Sequence, residues 1–349
     1  MRNVLSVIVA VLIAGCAATP MRRMVPVVKP LRLADRETVE KRIGEFRKLT
    51  EPLAVRGVLC YPRAVMESEI PLDLVFSNVK KLGFNRIQAR ISSEEELDER
   101  LRLFLETARR FEIPVELALA QRDFFVRSRG NRLLRKLLPG TPDILNAVRR
   151  VAAFNDSLPP ELRLAGVVVF LEPHRFVIGS SNLPPDFLFA WNEKAYGPGL
   201  DNDLIMHAMF DMLRELPAAA GTLPVSVAIP DFLHEKALSG ELTIGSIADF
   251  CAVKGIRGVT VIDTGNRPSQ LLSGVSNELK EAPKGAKIVI SVPVAGHSSI
   301  ESGALRRRDW KDFIHSLGYL IRHAECHAAF DGVVIGPLAH MQFVLNEKD

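Results

Sequence analysis

Charged side chains stand directly after several short apolar runs of the chain. The clearest case is Glu172, which ends the run 166–171, a stretch with no other polar side chain. A carboxylate at the end of so apolar a run is partly desolvated, and desolvation favours the protonated form that a general acid needs. Glu172 is therefore the first candidate for a proton donor. The alternative is that an arginine pairs with it and that it takes no part in chemistry.

Other acidic residues follow other apolar runs and are candidate partners for Glu172. Asp231 and Asp263 are candidates for a second carboxylate or a base, and Asp123 is a further acid in a similar position. Hydrolysis of a glycosidic bond needs two carboxyl groups roughly 5–9 Å apart. Spacing along the chain does not select one of these acids, because only the fold can bring them near Glu172.

Basic and aromatic residues at the same run ends are candidates for holding a substrate. Guanidinium groups suit an acidic carbohydrate or another anion. The candidate substrate-binding residues are Tyr61, Arg90, Arg122, Asp123, His174, Arg175, Trp191 and Arg267. Trp191 lies in the long segment 173–202, which is rich in aromatic residues, and long ordered loops are often functional. Its aromatic residues either stack on sugar rings or pack the segment onto the rest of the protein.

Eight runs rich in valine or isoleucine alternate with helical patterns and must position these candidates. The predicted strands are residues 55–61, 86–91, 114–120, 166–172, 224–229, 258–263, 287–292 and 332–336. Strands that are apolar on both faces and alternate with helices indicate a parallel sheet. Eight such units in about 300 residues predict a (β/α)8 TIM barrel, with its site at the carboxyl ends of the strands. An open doubly wound sheet is the alternative, but the first strand lacks phosphate-binding glycines.

The segment 166–174 resembles a known motif. It runs Gly-Val-Val-Val-Phe-Leu-Glu-Pro-His, whereas the fourth strand of bacterial glycoside-hydrolase-like barrels usually runs Gly-Ile-His-Leu-Asp-Ile-Glu-Pro before His or Tyr. Those barrels are distantly similar to chitinase-type hydrolases and are often linked to surface polysaccharides. Residues 224–232 and 330–336 resemble the fifth and last strands of the same barrels. The resemblance covers most of residues 53–345 and implies that Glu172 is the proton donor.

Three positions depart from that motif. Phe170 stands in place of an aspartate, Val168 in place of a histidine, and Gly336 in place of the histidine of the last strand. Phe170 shares a strand face with Glu172, and a phenyl ring can neither orient a substrate amide nor share a proton. Two functions therefore stay open. One is action on a cell-envelope or exported polysaccharide, and the other is non-catalytic binding of a glycan or a partner protein.

The amino terminus predicts a lipoprotein signal peptide over residues 1–15. Arg2 precedes an apolar run, residues 4–13, that is too short to span a bilayer. The sequence Ile-Ala-Gly-Cys at 13–16 matches the lipobox, whose cysteine receives a diacylglyceryl group. We therefore expect a secreted chain anchored to a membrane of the cell envelope through Cys16. Ala17 is not the aspartate that retains lipoproteins at the inner membrane, so an outer-membrane position facing the periplasm is expected in an organism with two membranes.

The same pattern divides the chain into three parts. Residues 16–50 are predicted to form a tether and an N-terminal helix, and residues 51–349 the barrel. The net charge is only +4, and no basic block with interleaved aromatics indicates nucleic acid. No Walker loop, nucleophile elbow or EF-hand loop occurs, so no cofactor is predicted.

The remaining cysteines are far apart in the sequence. Cys60, Cys251 and Cys326 form no CxxC pair and are predicted to be buried thiols, with one disulfide as the alternative. His323 and His327 share a helical face with Cys326 at a spacing that suits zinc. The helix leads into the last strand, however, so it ends at the opposite face of the barrel from the site. We predict an ordinary core or surface helix and no metal.

The lipobox generates a direct test. Cys16→Ala removes the only sulfur that the lipidation pathway can modify there, so we expect the variant to take up no labelled palmitate and to leave the membrane fraction. The measurement is metabolic labelling followed by fractionation. Equal labelling of the variant and the natural chain would contradict anchoring through Cys16.

Overall fold

Eight parallel strands form a closed barrel in the computed structural model, which describes residues 34–120, 144–173, 191, 194–262, 268–294 and 310–346. The strands follow one another in sequence order, and the first pairs with the last. They are β1 Val55–Cys60, β2 Arg86–Ile91, β3 Val115–Ala120, β4 Gly166–Phe170, β5 Val225–Pro230, β6 Ile256–Ile262, β7 Ile288–Pro293 and β8 Phe330–Gly336. The predicted (β/α)8 barrel is confirmed.

Helices connect the strands around the outside of the barrel. Within the described residues they are α1 Arg36–Thr50, α2 Pro62–Met66, α3 Leu72–Lys81, α4 Glu99–Arg110, α5 Ile144–Ser157, α6 Asp201–Ala220, α7 Phe232–Leu238, α8 Ile247–Ala252, α9 Pro268–Glu281, α10 Trp310–Ala324 and α11 Leu338–Asn346. No described helix is long and apolar enough to cross a membrane.

Side-chain caps fix where several helices begin. The Asp98 carboxylate accepts hydrogen bonds from the backbone N–H groups of Arg100 and Leu101, in the first turn of α4. Ser246 and Asp249 form a reciprocal capping box at the start of α8. Such caps satisfy backbone donors that have no partner inside the helix.

The two faces of the strands enter different hydrophobic clusters. One face packs against the helices in a large core. The other face fills the barrel interior, where the buried members are Ala118, Ala120, Val168, Phe170 and Ala228. Because three of these five are alanines, the Phe170 ring supplies much of the interior volume near the carboxyl edge.

Helix α1 is packed onto the barrel. Phe46 is buried, and the Arg42 guanidinium donates a 2.9 Å hydrogen bond to the Leu345 carbonyl in α11. The indole of Trp310 donates a 2.7 Å hydrogen bond to Glu45. These contacts tie the segment before β1 to α10 and α11.

The cysteines beyond Cys16 are free thiols in three different environments. Cys60 is fully buried, and this burial raises the pKa of its thiol to about 12. Cys251 is half-buried, and burial also raises the pKa of its thiol. Cys326 is exposed, so the prediction of three buried thiols is wrong at that position. It lies beyond the end of α10, where the helical pattern no longer decides which face is covered.

A buried histidine predicts how the stability of the fold depends on pH. The His234 ring is almost fully buried, and its Nδ1 accepts a 3.1 Å hydrogen bond from the Ile247 N–H at the start of α8. Desolvation lowers the pKa of His234 below its ordinary 6.5, although the Glu281, Glu235 and Asp249 carboxylates oppose this. The unfolded chain therefore takes up the proton first. The stability that the neutral ring contributes is present above about pH 6.5 and is lost as pH falls.

Chemical denaturation between pH 8 and pH 5 measures this effect. We expect His234→Gln to flatten the loss of unfolding free energy on acidification, because the variant has no proton to take up at this position. His315→Gln is the matched control, since His315 is exposed on α10. An unchanged pH profile for His234→Gln would contradict the assignment.

Candidate functional site

Glu172 lies just beyond the carboxyl end of β4, at the edge where a barrel of this kind carries its site. The residue is only 5% exposed. Burial of a carboxylate is costly unless a partner compensates its charge. The surroundings of Glu172 therefore determine what it can do.

Arg90 supplies a compensating charge. Its Nη2 lies 3.9 Å from Glu172 Oε2, and both side chains are 6% exposed. Arg90 is the next-to-last residue of β2, and its register partner on β3 is Ala118. Ala118 and Ala120 present only methyl groups to the barrel interior. This leaves room for the arginine to reach across β3 towards the end of β4.

Two aromatic rings contact the same guanidinium. The Arg90 Cζ atom lies 5.9 Å from the centroid of the Tyr61 ring and 5.6 Å from that of Phe170. A desolvated cation–π contact contributes about 2 kcal/mol. Two of the predicted substrate-binding residues, Tyr61 and Arg90, are therefore brought together with Glu172. In this arrangement they contact protein groups.

Phe170 occupies the position of the missing aspartate and is itself only 4% exposed. Its ring belongs to the interior cluster beside Val168, which stands in place of the missing histidine. The volume that a polar pair would use is therefore filled with hydrocarbon.

The strand-eight departure also has a steric basis. A Cβ atom built on Gly336 would overlap the Leu59 side chain and would lie 3.1 Å from the Leu59 nitrogen. β8 approaches β1 so closely here that any side chain at position 336 requires the backbone or Leu59 to move. A histidine does not fit at this position in the present structure.

Asp231, a candidate second carboxylate, is placed at the end of β5 and is 5% exposed. Its Oδ1 accepts a 2.9 Å hydrogen bond from the Phe232 N–H, so the carboxylate caps α7. The remaining sequence candidates lie outside the described residues. These are Cys16, Arg122, Asp123, His174, Arg175, Asp263 and Arg267.

Trp191, the aromatic candidate from the long segment, packs against other rings. Its ring centroid lies 5.7 Å from that of Tyr196 and 6.0 Å from that of Phe232, both edge-on. Its Nε1 donates a 3.1 Å hydrogen bond to the Tyr196 hydroxyl. Lys236 lies over the Tyr196 ring at 4.3 Å. Trp191 was expected either to stack on a sugar ring or to pack onto the protein. Its described contacts are of the second kind, with α7 and Tyr196.

A polar network inside the barrel was missed by the sequence reasoning. Arg86 Nη1 lies 2.9 Å from Glu116 Oε1, and Gln88 Nε2 donates to the other oxygen of that carboxylate at 3.4 Å. The signal was present in β2, where polar residues alternate with apolar ones at 86, 88 and 90. That period of two places all three on the interior face.

Comparisons with known proteins show distant similarity to glycoside-hydrolase barrels. A GH18 chitinase from Pseudoalteromonas aurantia is 14% identical, with a TM-score of 0.44. The match covers 80% of this chain and 93% of the chitinase chain. An intracellular xylanase from Thermoanaerobacterium saccharolyticum is 10% identical, with a TM-score of 0.47. The match covers 83% of this chain and 88% of the xylanase chain. An HpcH/HpaI aldolase from Desulfitobacterium hafniense also matches, at 10% identity and a TM-score of 0.36. This match covers 85% of this chain and 91% of the aldolase chain.

Sequence comparisons add no narrower assignment. No protein-family model matches the chain, and a search of curated proteins finds no match. With TM-scores below 0.5, the structural likenesses identify neither a substrate nor a reaction.

The buried pair predicts a specific pattern of stabilities. Arg90→Met leaves the Glu172 charge without this partner, which typically costs about 3–5 kcal/mol of unfolding free energy. Replacing both residues, as Arg90→Met with Glu172→Leu, removes both charges, so we expect the double variant to be more stable than Arg90→Met alone. Urea denaturation of the three proteins measures the difference.

The exposed pair Arg63–Glu67, with 3.0 Å between Nε and Oε1, is the matched control. Its loss should cost less than about 1 kcal/mol, as for other surface ion pairs. A double variant at Arg90 and Glu172 that is less stable than Arg90→Met would show that this pair does not compensate buried charge.

Proposed function

We propose that the protein is a lipid-anchored barrel of the cell envelope that binds an envelope or exported polysaccharide at its carboxyl edge without hydrolysing it. The observation that carries the proposal is the buried Arg90–Glu172 pair, whose guanidinium also contacts the Tyr61 and Phe170 rings. Anchoring rests on the lipobox that ends at Cys16.

The pair argues against proton donation by Glu172. A general acid must come within hydrogen-bond distance of the leaving oxygen and must carry a proton. The Glu172 side chain is only 6% exposed, and its Oε2 lies 3.9 Å from Arg90 Nη2, so little of the carboxyl group is open to a leaving oxygen. Phe170 fills the position of the acid that would assist it.

The carbohydrate class rests on the resemblance of segments 166–174, 224–232 and 330–336 to glycoside-hydrolase-like strands. It also rests on the closed barrel, whose carboxyl edge is the usual position of a ligand site. Phe170, Val168 and Gly336 stand where the motif has an aspartate and two histidines, which are polar groups that could take part in hydrolysis. The barrel that would position a ligand is nevertheless present.

Hydrolysis is the second candidate, because Glu172 keeps its place after β4 and is followed by Pro173 and, in sequence, His174. If the protein is a hydrolase, Glu172→Gln abolishes turnover and leaves ligand binding largely intact. The amide keeps the shape of the carboxyl group but is not an acid.

Purified envelope and exported polysaccharides test the two functions together. We expect the full chain to bind at least one polysaccharide and to release no products from any of them. Glu106→Gln, on the exposed face of α4, is the control for a general effect of removing an acid. Release of products by the natural chain and by Glu106→Gln, but not by Glu172→Gln, would establish hydrolysis and overturn binding alone.

A further inference from the structure

A cavity of about 180 Å³ opens beside the barrel mouth, between α2, which follows β1, and the start of α4, which follows β2. It is separate from the Arg90–Glu172 pair. Pockets for drug-sized ligands usually have volumes of roughly 300–1,000 Å³. The space therefore suits one small ring.

The floor of the cavity is apolar. Pro62, Ile91 and Leu101 form its base and are already buried, so the apolar side chain that a ligand can cover there is mainly the half-buried Met66. A pyranose ring carries C–H groups on its faces, and contact of such a face with hydrocarbon side chains removes apolar surface from water. The floor thus matches the ring of a sugar better than it matches a simple ion.

Local hydrogen bonds fix two carboxylates at the edge of the cavity. Glu96 Oε1 accepts from the Ser92 and Ser93 N–H groups at 2.9 and 3.2 Å. Asp98 Oδ1 accepts from the first-turn N–H groups of α4 at 3.0 and 3.1 Å. Groups that are already ordered cost less entropy when they bind a ligand.

The charges around the cavity favour a cation over an anion. Arg63 lies 3.0 Å from Glu67, and Arg100 lies 3.6 Å from the same carboxylate oxygen. Both arginines that line the cavity therefore face a shared acid. The acidic residues that line the cavity itself are Glu95, Glu96 and Asp98.

We propose that this cavity binds a single sugar ring that carries a free amino group. The ring lies on the apolar floor, and the ammonium group faces Glu95 and the two fixed carboxylates. The choice of a sugar rests on the proposed function, whereas the preference for positive charge rests on the cavity alone. An acidic sugar is disfavoured here.

The methyl group of Met66 reports on this site. We would titrate the full chain, labelled with ¹³C at the methionine methyls, with glucosamine, glucose and glucuronate in turn. We expect glucosamine to shift the Met66 signal at the lowest concentration, glucose at a higher one and glucuronate at the highest. Met341 is fully buried in α11, and its signal should not move.

Glu95→Gln removes an exposed acid that caps no helix, so the fold is retained. We expect it to weaken glucosamine binding roughly two- to fivefold, the effect of one exposed ion pair, and to leave glucose binding unchanged. Glu99→Gln is the matched control, because Glu99 is a nearby exposed acid, at the start of α4, that does not line the cavity.

Equal affinity for the three sugars, an unaffected Glu95→Gln or the absence of a Met66 shift would each overturn the proposal. Polysaccharide binding by the same protein is measured separately. A chain that binds polysaccharide without a glucosamine shift at Met66 lacks this site but keeps the proposed function. A chain with the shift and no polysaccharide binding keeps the site and loses the proposed function.

Discussion

A charge buried at the mouth of the barrel is the constraint on which the site depends. Arg90 points from β2 towards the buried alanines of β3 and the Phe170 ring, and an isolated guanidinium there would be very unfavourable. The Glu172 carboxylate and the rings of Tyr61 and Phe170 offset that cost. The methyl side chains of β3 leave the space that this contact needs. Glu172 thus has a structural partner in Arg90, whose charge it helps to compensate.

Much of the fold could be predicted because its signal is local. Most of the strands are short runs rich in valine or isoleucine, and the helices between them carry caps and terminal glycines that mark their ends. The (β/α)8 barrel and the strand bounds to within two residues follow from that pattern. The rule that a barrel site lies at the carboxyl ends of the strands also predicted correctly that four residues lie at the mouth: Tyr61, Arg90, Glu172 and Asp231.

The contacts among those residues could not be predicted, because they depend on how far each side chain extends across the barrel from one strand to another. Sequence gives the face on which Arg90 lies, but whether it meets Glu172 depends on the small side chains of a third strand. The environment of Trp191 depends on Tyr196 and Phe232, which belong to two different connections. The cavity beside the mouth arises where two such connections meet, and neither segment shows it alone.

The close approach of β8 to β1 limits which substitutions the barrel can accept. A histidine placed at position 336 by a single substitution meets the Cβ atom and the backbone of Leu59, so one of the two strands must shift to admit it. An aspartate at position 170 would in turn place a carboxylate on the strand face that Glu172 shares and would remove a ring from Arg90. Polar residues at positions 170 and 336 would therefore not act independently of their surroundings, because each would disturb a contact that the present structure uses.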